Sequence, residues 1–224
     1  RDGVPRKKRF SLSAPRAGYI AEAFAAFSKS IDKDTLDAVF DETGTYNTIN
    51  KVLTSDCKLG IIRYDEAADG YFTEMLEKSE LNYESITDFR YVVIASKDSI
   101  LATKDEVFEA DLRNLIQITH KSPYEATLSA SDNNKPDTRV RADRCIYVLD
   151  SAAQLETLSE NPETFMWISP APQPLLERYG LVQFECVDCG RKSYKDVLIY
   201  GKNYKLGELD KAFIEQLKRS SEHI

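Results

Sequence analysis

Apolar residues recur along this chain in two ways: as stripes at helical spacing, and as short runs that are almost wholly apolar. Tyr19, Ile20, Ala23, Phe24 and Phe27 form one stripe, and Tyr46, Ile49, Val52 and Leu53 a second. A third occupies "YFTEMLEKSEL" at 71–81. A last one, in "ELDKAFIEQLKR" at 208–219, sets Leu209, Ala212, Phe213 and Leu217 on one face. Between the helices lie "LGII" at 59–62, "YVVIA" at 91–95, "IQIT" at 116–119 and "CIYVL" at 145–149. "FMWI" at 165–168, "LVQFECV" at 181–187 and "VLIY" at 197–200 complete the series. Such runs suit strands covered on both faces, and their alternation with helices predicts βαβ units in parallel sheets.

The stretch "FSLSAPRAGYIAEAFAAF" (10–27) and its successor "FDETGTYNTINKVLTSDCKLGII" (40–62) read as strand, turn, helix, strand, Gly-Thr turn, helix, strand. Small polar residues stand at each strand-to-helix junction. Junctions of this kind present backbone N–H groups and hydroxyls at the carboxyl ends of strands, where open α/β sheets hold small molecules. No nucleophile, acid pair or metal cluster accompanies them, which points to holding a ligand rather than transforming one. Seven or more strands exceed what one compact sheet of 224 residues carries with so many crossovers. Two lobes are therefore predicted, with a break near "NYESITDFRYVVIA" (82–95), and "VLIY" with the final helix returns to the first lobe. The polar segment "SASDNNKPDTRVRAD" (129–143) reads as a long exposed loop, and "SPAPQP" (169–174) as a turn and helix start.

Charge narrows the partners. The formal net charge is −7, and residues 1–9 alone carry +4 from five basic side chains and Asp2, leaving −11 on the remainder. An acidic surface argues against nucleic-acid binding by this chain, and the basic start reads as an exposed linker. No apolar run approaches the roughly 20 residues of a membrane span, and no signal-peptide core opens the chain, so a cytoplasmic protein without membrane contact is expected. Four cysteines, Cys57, Cys145, Cys186 and Cys189, do not make a disulfide framework in a chain this long. "CVDC" has the spacing of a zinc knuckle or a redox pair. A structural zinc site needs four ligands, however, and only His120, His223 and two scattered cysteines remain to complete it. Ordinary reduced thiols are expected, with no metal and no cofactor.

These residues resemble the effector-binding (substrate-binding) domain of LysR-type transcriptional regulators. The likeness covers essentially residues 9–219. It rests on "RFSLSAPRAGYIAEAFAAF", the Gly44-Thr45 turn, "VLTSDCKLGII", "YVVIASKDSILA", "ADLRNLIQIT" and the late "YKDVLIYGK". Lys58 stands where the family usually has an aspartate, and Ser99-Ile100 replaces its common His-Pro. The resemblance implies an α/β fold of two Rossmann-like lobes with a central cleft, like type 2 periplasmic-binding proteins. Residues 1–9 are then a linker remnant, 10–89 plus 195–224 lobe I and 90–194 lobe II, with the family's N-terminal winged helix-turn-helix absent from this chain. It further implies a small-molecule effector in the interlobe cleft, no enzymatic activity, homodimers (tetramers in the full-length regulator), and DNA contact only through the missing domain. An extracytoplasmic solute-binding protein of a transporter shares the fold and is the alternative; it predicts a monomer and an upstream signal sequence.

In this family the first strand-to-helix turn contributes ligand contacts, which here brings in Ser13, Arg16 and Ala17. Ser13 reads as a cleft hydroxyl or a turn serine, and Arg16 as a carboxylate clamp or a solvated arginine. Thr45 reads as a ligand contact, an N-cap, or both, with Tyr46 beside it. Arg63, after "LGII", is expected to line the cleft. From the second lobe, Thr119, His120 and Lys121 follow one strand, before a helix expected to start near Ser122, and Asp150 and Ser151 follow another. Trp167 reads as core. Two helix starts with Arg16, Arg63 and Lys121 nearby favour an anionic metabolite.

Overall fold

The computed structural model describes residues 8–31, 36–120, 142–190 and 192–224. In chain order its elements are β1 (Lys8–Ala14), α1 (Gly18–Lys29), β2 (Leu36–Glu42), α2 (Thr45–Leu53), β3 (Leu59–Asp65), α3 (Asp69–Lys78), β4 (Leu81–Phe89) and β5 (Val92–Ser96). There follow α4 (Glu109–Leu112), β6 (Ile116–Thr119), β7 (Cys145–Tyr147), α5 (Ser151–Glu160), β8 (Thr164–Ile168), α6 (Gln173–Tyr179), β9 (Leu181–Phe184), β10 (Tyr194–Gly201) and α7 (Glu208–Ser221). Two compact units result: Arg1–Arg90 with Lys192–Ile224, and Tyr91–Arg191. Among the described residues no helix is long and apolar enough to cross a membrane.

Each unit is built on a five-stranded sheet, ordered β2-β1-β3-β10-β4 in the first and β7-β6-β8-β5-β9 in the second. The two orders are the same pattern. Three parallel strands run side by side, and a strand from one end of the unit's sequence, the last strand in the first unit and the first in the second, lies antiparallel between the third and an edge strand. That inserted strand is β10 in one sheet and β5 in the other. Both sheets are thus mixed, not parallel as the alternation of runs predicts. Periodicity reports which faces are buried, and it carries no information on strand direction.

Helices cover both faces of the first sheet. On one side α1 and α7 bury Phe27 and Phe213 against Phe10 of β1, with ring centroids 4.6 and 5.2 Å from that of Phe10. On the other, Ile49 and Val52 of α2 and Phe72 and Leu76 of α3 close over Ile62, Tyr64, Val197 and Ile199. Gly60 sets how near α2 lies to the sheet. A Cβ placed there would stand 2.7 Å from Thr48 Cγ2 and 2.9 Å from both Ile199 Cγ1 and Val52 Cγ2. All three neighbours are β-branched and stiff at χ1, so they do not step aside. Gly60→Ala is expected to cost about 1–3 kcal/mol by overpacking, measured as a lower urea midpoint at unchanged m-value.

Candidate ligand site

In the first unit, parallel pairing aligns the carboxyl ends of β1 and β2, with Ser13 opposite both Asp41 and Gly60, the second residue of β3, and Ala14 opposite Glu42; β3 runs on past them to Asp65. The chain leaves β1 through Pro15, Arg16 and Ala17 into α1, and leaves β2 through Thr43 and Gly44 into α2. The N-caps are Ala17, in extended conformation, and Gly44; neither helix start receives a side-chain cap. Thr45 is therefore the first helical residue rather than the cap. Its hydroxyl donates to the Arg63 carbonyl at 2.6 Å and accepts from the Arg63 N–H at 3.2 Å. These bonds tie the start of α2 to β3 and leave Thr45 Oγ1 acceptor capacity only, its single proton being spent.

The other candidates of this edge are also knit together. Ser13 is fully buried, and its Oγ lies 3.0 Å from Thr48 Oγ1, so the serine links β1 to α2 instead of lining an opening. Arg16 is one-third exposed and donates through Nε to Glu42 Oε2 at 3.3 Å. Ala17 is buried, while Tyr46 is exposed on one side and lies against Phe72 with ring centroids 6.0 Å apart.

Arg63 departs most from expectation. Its Nε donates to Asp196 Oδ1 at 2.7 Å and Nη2 to Asp196 Oδ2 at 2.6 Å, a bidentate pair with a carboxylate that is wholly buried. Nη1 reaches the Arg16 carbonyl at 3.2 Å, and the guanidinium carbon lies 4.5 Å from the centre of the Phe89 ring. Tyr19 adds a third donor, its hydroxyl giving a 2.6 Å bond to Asp196 Oδ2. Burial, with Asp196 beside it, pushes the Tyr19 hydroxyl well above the ordinary tyrosine value, which keeps its proton on that bond. Arg63 thus acts mainly from beneath the site, as a positioning residue that fixes the Arg16 turn and the start of α2. Tyr19 and Asp196 escaped the sequence reading. The signal was present: a carboxylate inside the run "YKDVLIYGK" is costly to bury without a cation.

In the second unit, Thr119 pairs with Tyr147 across the parallel β6–β7 ladder, so Thr119–His120 and Asp150–Ser151 follow the same edge of that sheet. The Thr119 carbonyl accepts from the Val148 N–H at 2.9 Å, and His120 is exposed. Asp150 caps α5, its Oδ1 accepting from the Ala153 N–H at 2.8 Å, and Ser151 opens the helix half-buried. A carboxylate already occupies that helix start, which makes this edge less hospitable to an anion than the first unit's. Lys121, the helix expected near Ser122 and most of the predicted 129–143 loop lie outside the described residues. Trp167 packs against the cluster around Val93 and Phe165, in keeping with a core role.

Neither a family model nor a curated protein matches this sequence. Solved structures do. The effector-binding domain of QuiR in complex with shikimate aligns over 96% of this chain and 98% of its own, at TM-score 0.56 and 16% identity. The MetR regulatory domain of N. meningitidis, from a LysR family regulator, aligns over 95% of this chain and 93% of its own, at TM-score 0.58 and 12% identity. The fold is that of LysR-family regulatory domains. The regulatory domain of Synechocystis PCC6803 CcmR in complex with 2-PG agrees, at TM-score 0.58 and 16% identity over 96% of this chain and 98% of its own. In this LysR-type fold the late strand β10 carries Asp196 into the first sheet, between β3 and β4, which is how a residue 133 positions downstream meets Arg63.

The cysteines correct one expectation. Cys57 and Cys145 are free thiols, but Cys186 and Cys189 are joined as a disulfide. With Asp188 they place three donor atoms within 4.8 Å of one another, and no fourth donor joins them among the described residues.

Proposed function

We propose that this chain is the effector-sensing domain of a LysR-type transcriptional regulator, and that a small anionic metabolite binds at the carboxyl edge of its first sheet. The observation that carries the reading is the pair of side-chain-uncapped helix starts at Gly18 and Thr45 on one edge, with Arg16 between them and Arg63 fixing both. First-turn N–H groups have no intrahelical acceptor and sit at the positive end of the helix dipole, so together they favour a carboxylate or phosphate. The ligand contacts are then the backbone N–H groups of Ala17 and its successors, the N–H groups of Thr45 and Tyr46, and the Arg16 guanidinium. QuiR and CcmR, which share the fold, hold small molecules.

Sensing works here as a population shift: the effector must bind one arrangement of the regulator more tightly than another. The domain acts in the cytoplasm as a homodimer, within a tetramer when full-length, and reaches DNA through an N-terminal domain; it turns over no substrate. The test is a thermal-shift screen against small carboxylates, aromatic acids, amino acids and sugar phosphates. A ligand at 100 times its Kd adds about 2.7 kcal/mol, which raises Tm by roughly 5–10 °C. Arg16→Ala is expected to weaken a hit about tenfold, and Thr45→Val to weaken it less, since its hydroxyl has no proton left to give. Affinity unchanged by Arg16→Ala would remove the anion site from this edge.

A further inference from the structure

Cys186 and Cys189 stand just after β9, on the connection that leads to β10, and the effector reading leaves them unused. Their Cα atoms are 5.3 Å apart, within the range a disulfide spans without backbone movement. Access to the two sulfurs differs. Cys186 is half-buried, whereas Cys189 is 7% exposed and belongs to the cluster of Val107, Leu112 and Phe165.

Backbone contacts hold the pair's segment in place. Cys186 bridges to Val107, the Val187 N–H donates to the Val107 carbonyl at 2.9 Å, and the Glu109 N–H donates to Asp188 Oδ1 at 2.7 Å. Gly190, at φ +58°, turns the chain directly after the second cysteine, a conformation that other residues adopt only with strain. Opening the disulfide therefore leaves the thiols within reach of each other. A ring closed by residues only three apart also constrains the unfolded chain little, so the bond adds little stability. An arrangement that is held in register by its surroundings, and gains little from closure, is suited to reversible chemistry.

We propose that Cys186 and Cys189 form a redox-active dithiol that exchanges with small disulfides of the glutathione class. The Cys186 thiolate, the more accessible, attacks one sulfur of the oxidised glutathione. That S–S bond breaks, one glutathione thiolate leaves, and a mixed disulfide remains on Cys186. The Cys189 thiolate then attacks Cys186 Sγ and expels the second glutathione thiolate. Two electrons pass from the protein dithiol to the small disulfide, and the two protons released by the cysteines equal those the glutathione thiolates take up. Reduced glutathione drives the reverse. The oxidation state sets how firmly Val187 and Asp188 hold the segment before α4. A zinc site is the weaker use of these atoms, because Asp188 Oδ1 already accepts from Glu109 and the donors among the described residues number three.

The experiment equilibrates the chain in glutathione buffers of varied [GSH]²/[GSSG], quenches with an alkylating agent and maps the peptides by mass. Cys57 and Cys145 serve as internal controls. The 186–189 peptide is expected to carry either two alkyl groups or an internal disulfide. A roughly 100-fold change in that ratio should take it from nine-tenths reduced to nine-tenths oxidised, as a two-electron couple requires. Amide exchange at Val187 and Glu109 is expected to be at least threefold slower in the oxidised form. The proposal is overturned if both thiols stay alkylatable in excess oxidised glutathione, or if the bond survives excess reduced glutathione in the folded chain. Stoichiometric zinc that blocks alkylation until a chelator removes it overturns it as well. Equal exchange in the two forms overturns the link to the segment before α4.

Discussion

Asp196→Ala is expected to lower the unfolding free energy by about 3–5 kcal/mol, the cost of leaving a buried charge without its partner. The substitution strips Arg63 of two charge-assisted bonds at 2.7 and 2.6 Å, though the contacts of its guanidinium with the Arg16 carbonyl and the Phe89 ring do not involve Asp196. It also orphans the Tyr19 hydroxyl, which stays protonated and needs an acceptor. Arg63→Met is expected to be comparably harmful, because it strands the carboxylate instead. The double variant Arg63→Met with Asp196→Leu should recover most of the loss, since a buried ion pair and an apolar pair of similar volume are often equivalent. Urea unfolding of the four proteins is the measurement. If the double variant is as unstable as either single one, the cost lies in packing and not in unpaired charge. The milder Asp196→Asn keeps an acceptor for Tyr19 but loosens Arg63. Since the Arg63 guanidinium holds the Arg16 carbonyl, the substitution should weaken ligand binding without touching the ligand.

Legibility of the fold varied with how far each residue's burial shows in its neighbours. "YVVIA" and "FMWI" became β5 and β8, buried over most of their length, because a strand between neighbours is apolar throughout. "NYESITDFRYVVIA" reads as a break, and the units do divide within it, at Arg90 and Tyr91; what did not show is that its first part is also the body of β4, nine residues at the edge of the first sheet with polar side chains facing out. Edge strands carry that kind of sequence, and only their partner reveals them. "LVQFECV" reads as one run, but the strand stops at Phe184 and the rest turns aside to meet Val107. The same limit governs the site. The Gly-Thr turn and the Ser13–Ala17 junction were visible as local chemistry. That Ser13 Oγ faces Thr48, and Arg63 faces Asp196, depends on partners 35 and 133 residues away, which no local pattern contains.

Phe213→Ala is the second substitution expected to cost about 3–5 kcal/mol, the range for removing a fully buried aromatic side chain from a packed core. Phe213 belongs to the last helix in the chain, yet its ring meets Phe10 and Phe27, with centroids 5.2 and 5.8 Å away, in the first strand and first helix. A helix docked at its own end of the sequence would leave those elements indifferent to the change. Here α7 closes one face of the first sheet, so the cavity opens directly over β1 and α1. Amide protection is therefore expected to fall across residues 10–29 and 194–201, while β5 and β8 in the other unit keep theirs. Phe213→Leu, which retains most of the volume, should lose less than half as much stability and leave the exchange pattern intact. Protection lost evenly over both units would mean that the two fold as one cooperative body. Protection lost only within α7 would mean that the helix frays without the aromatic cluster depending on it.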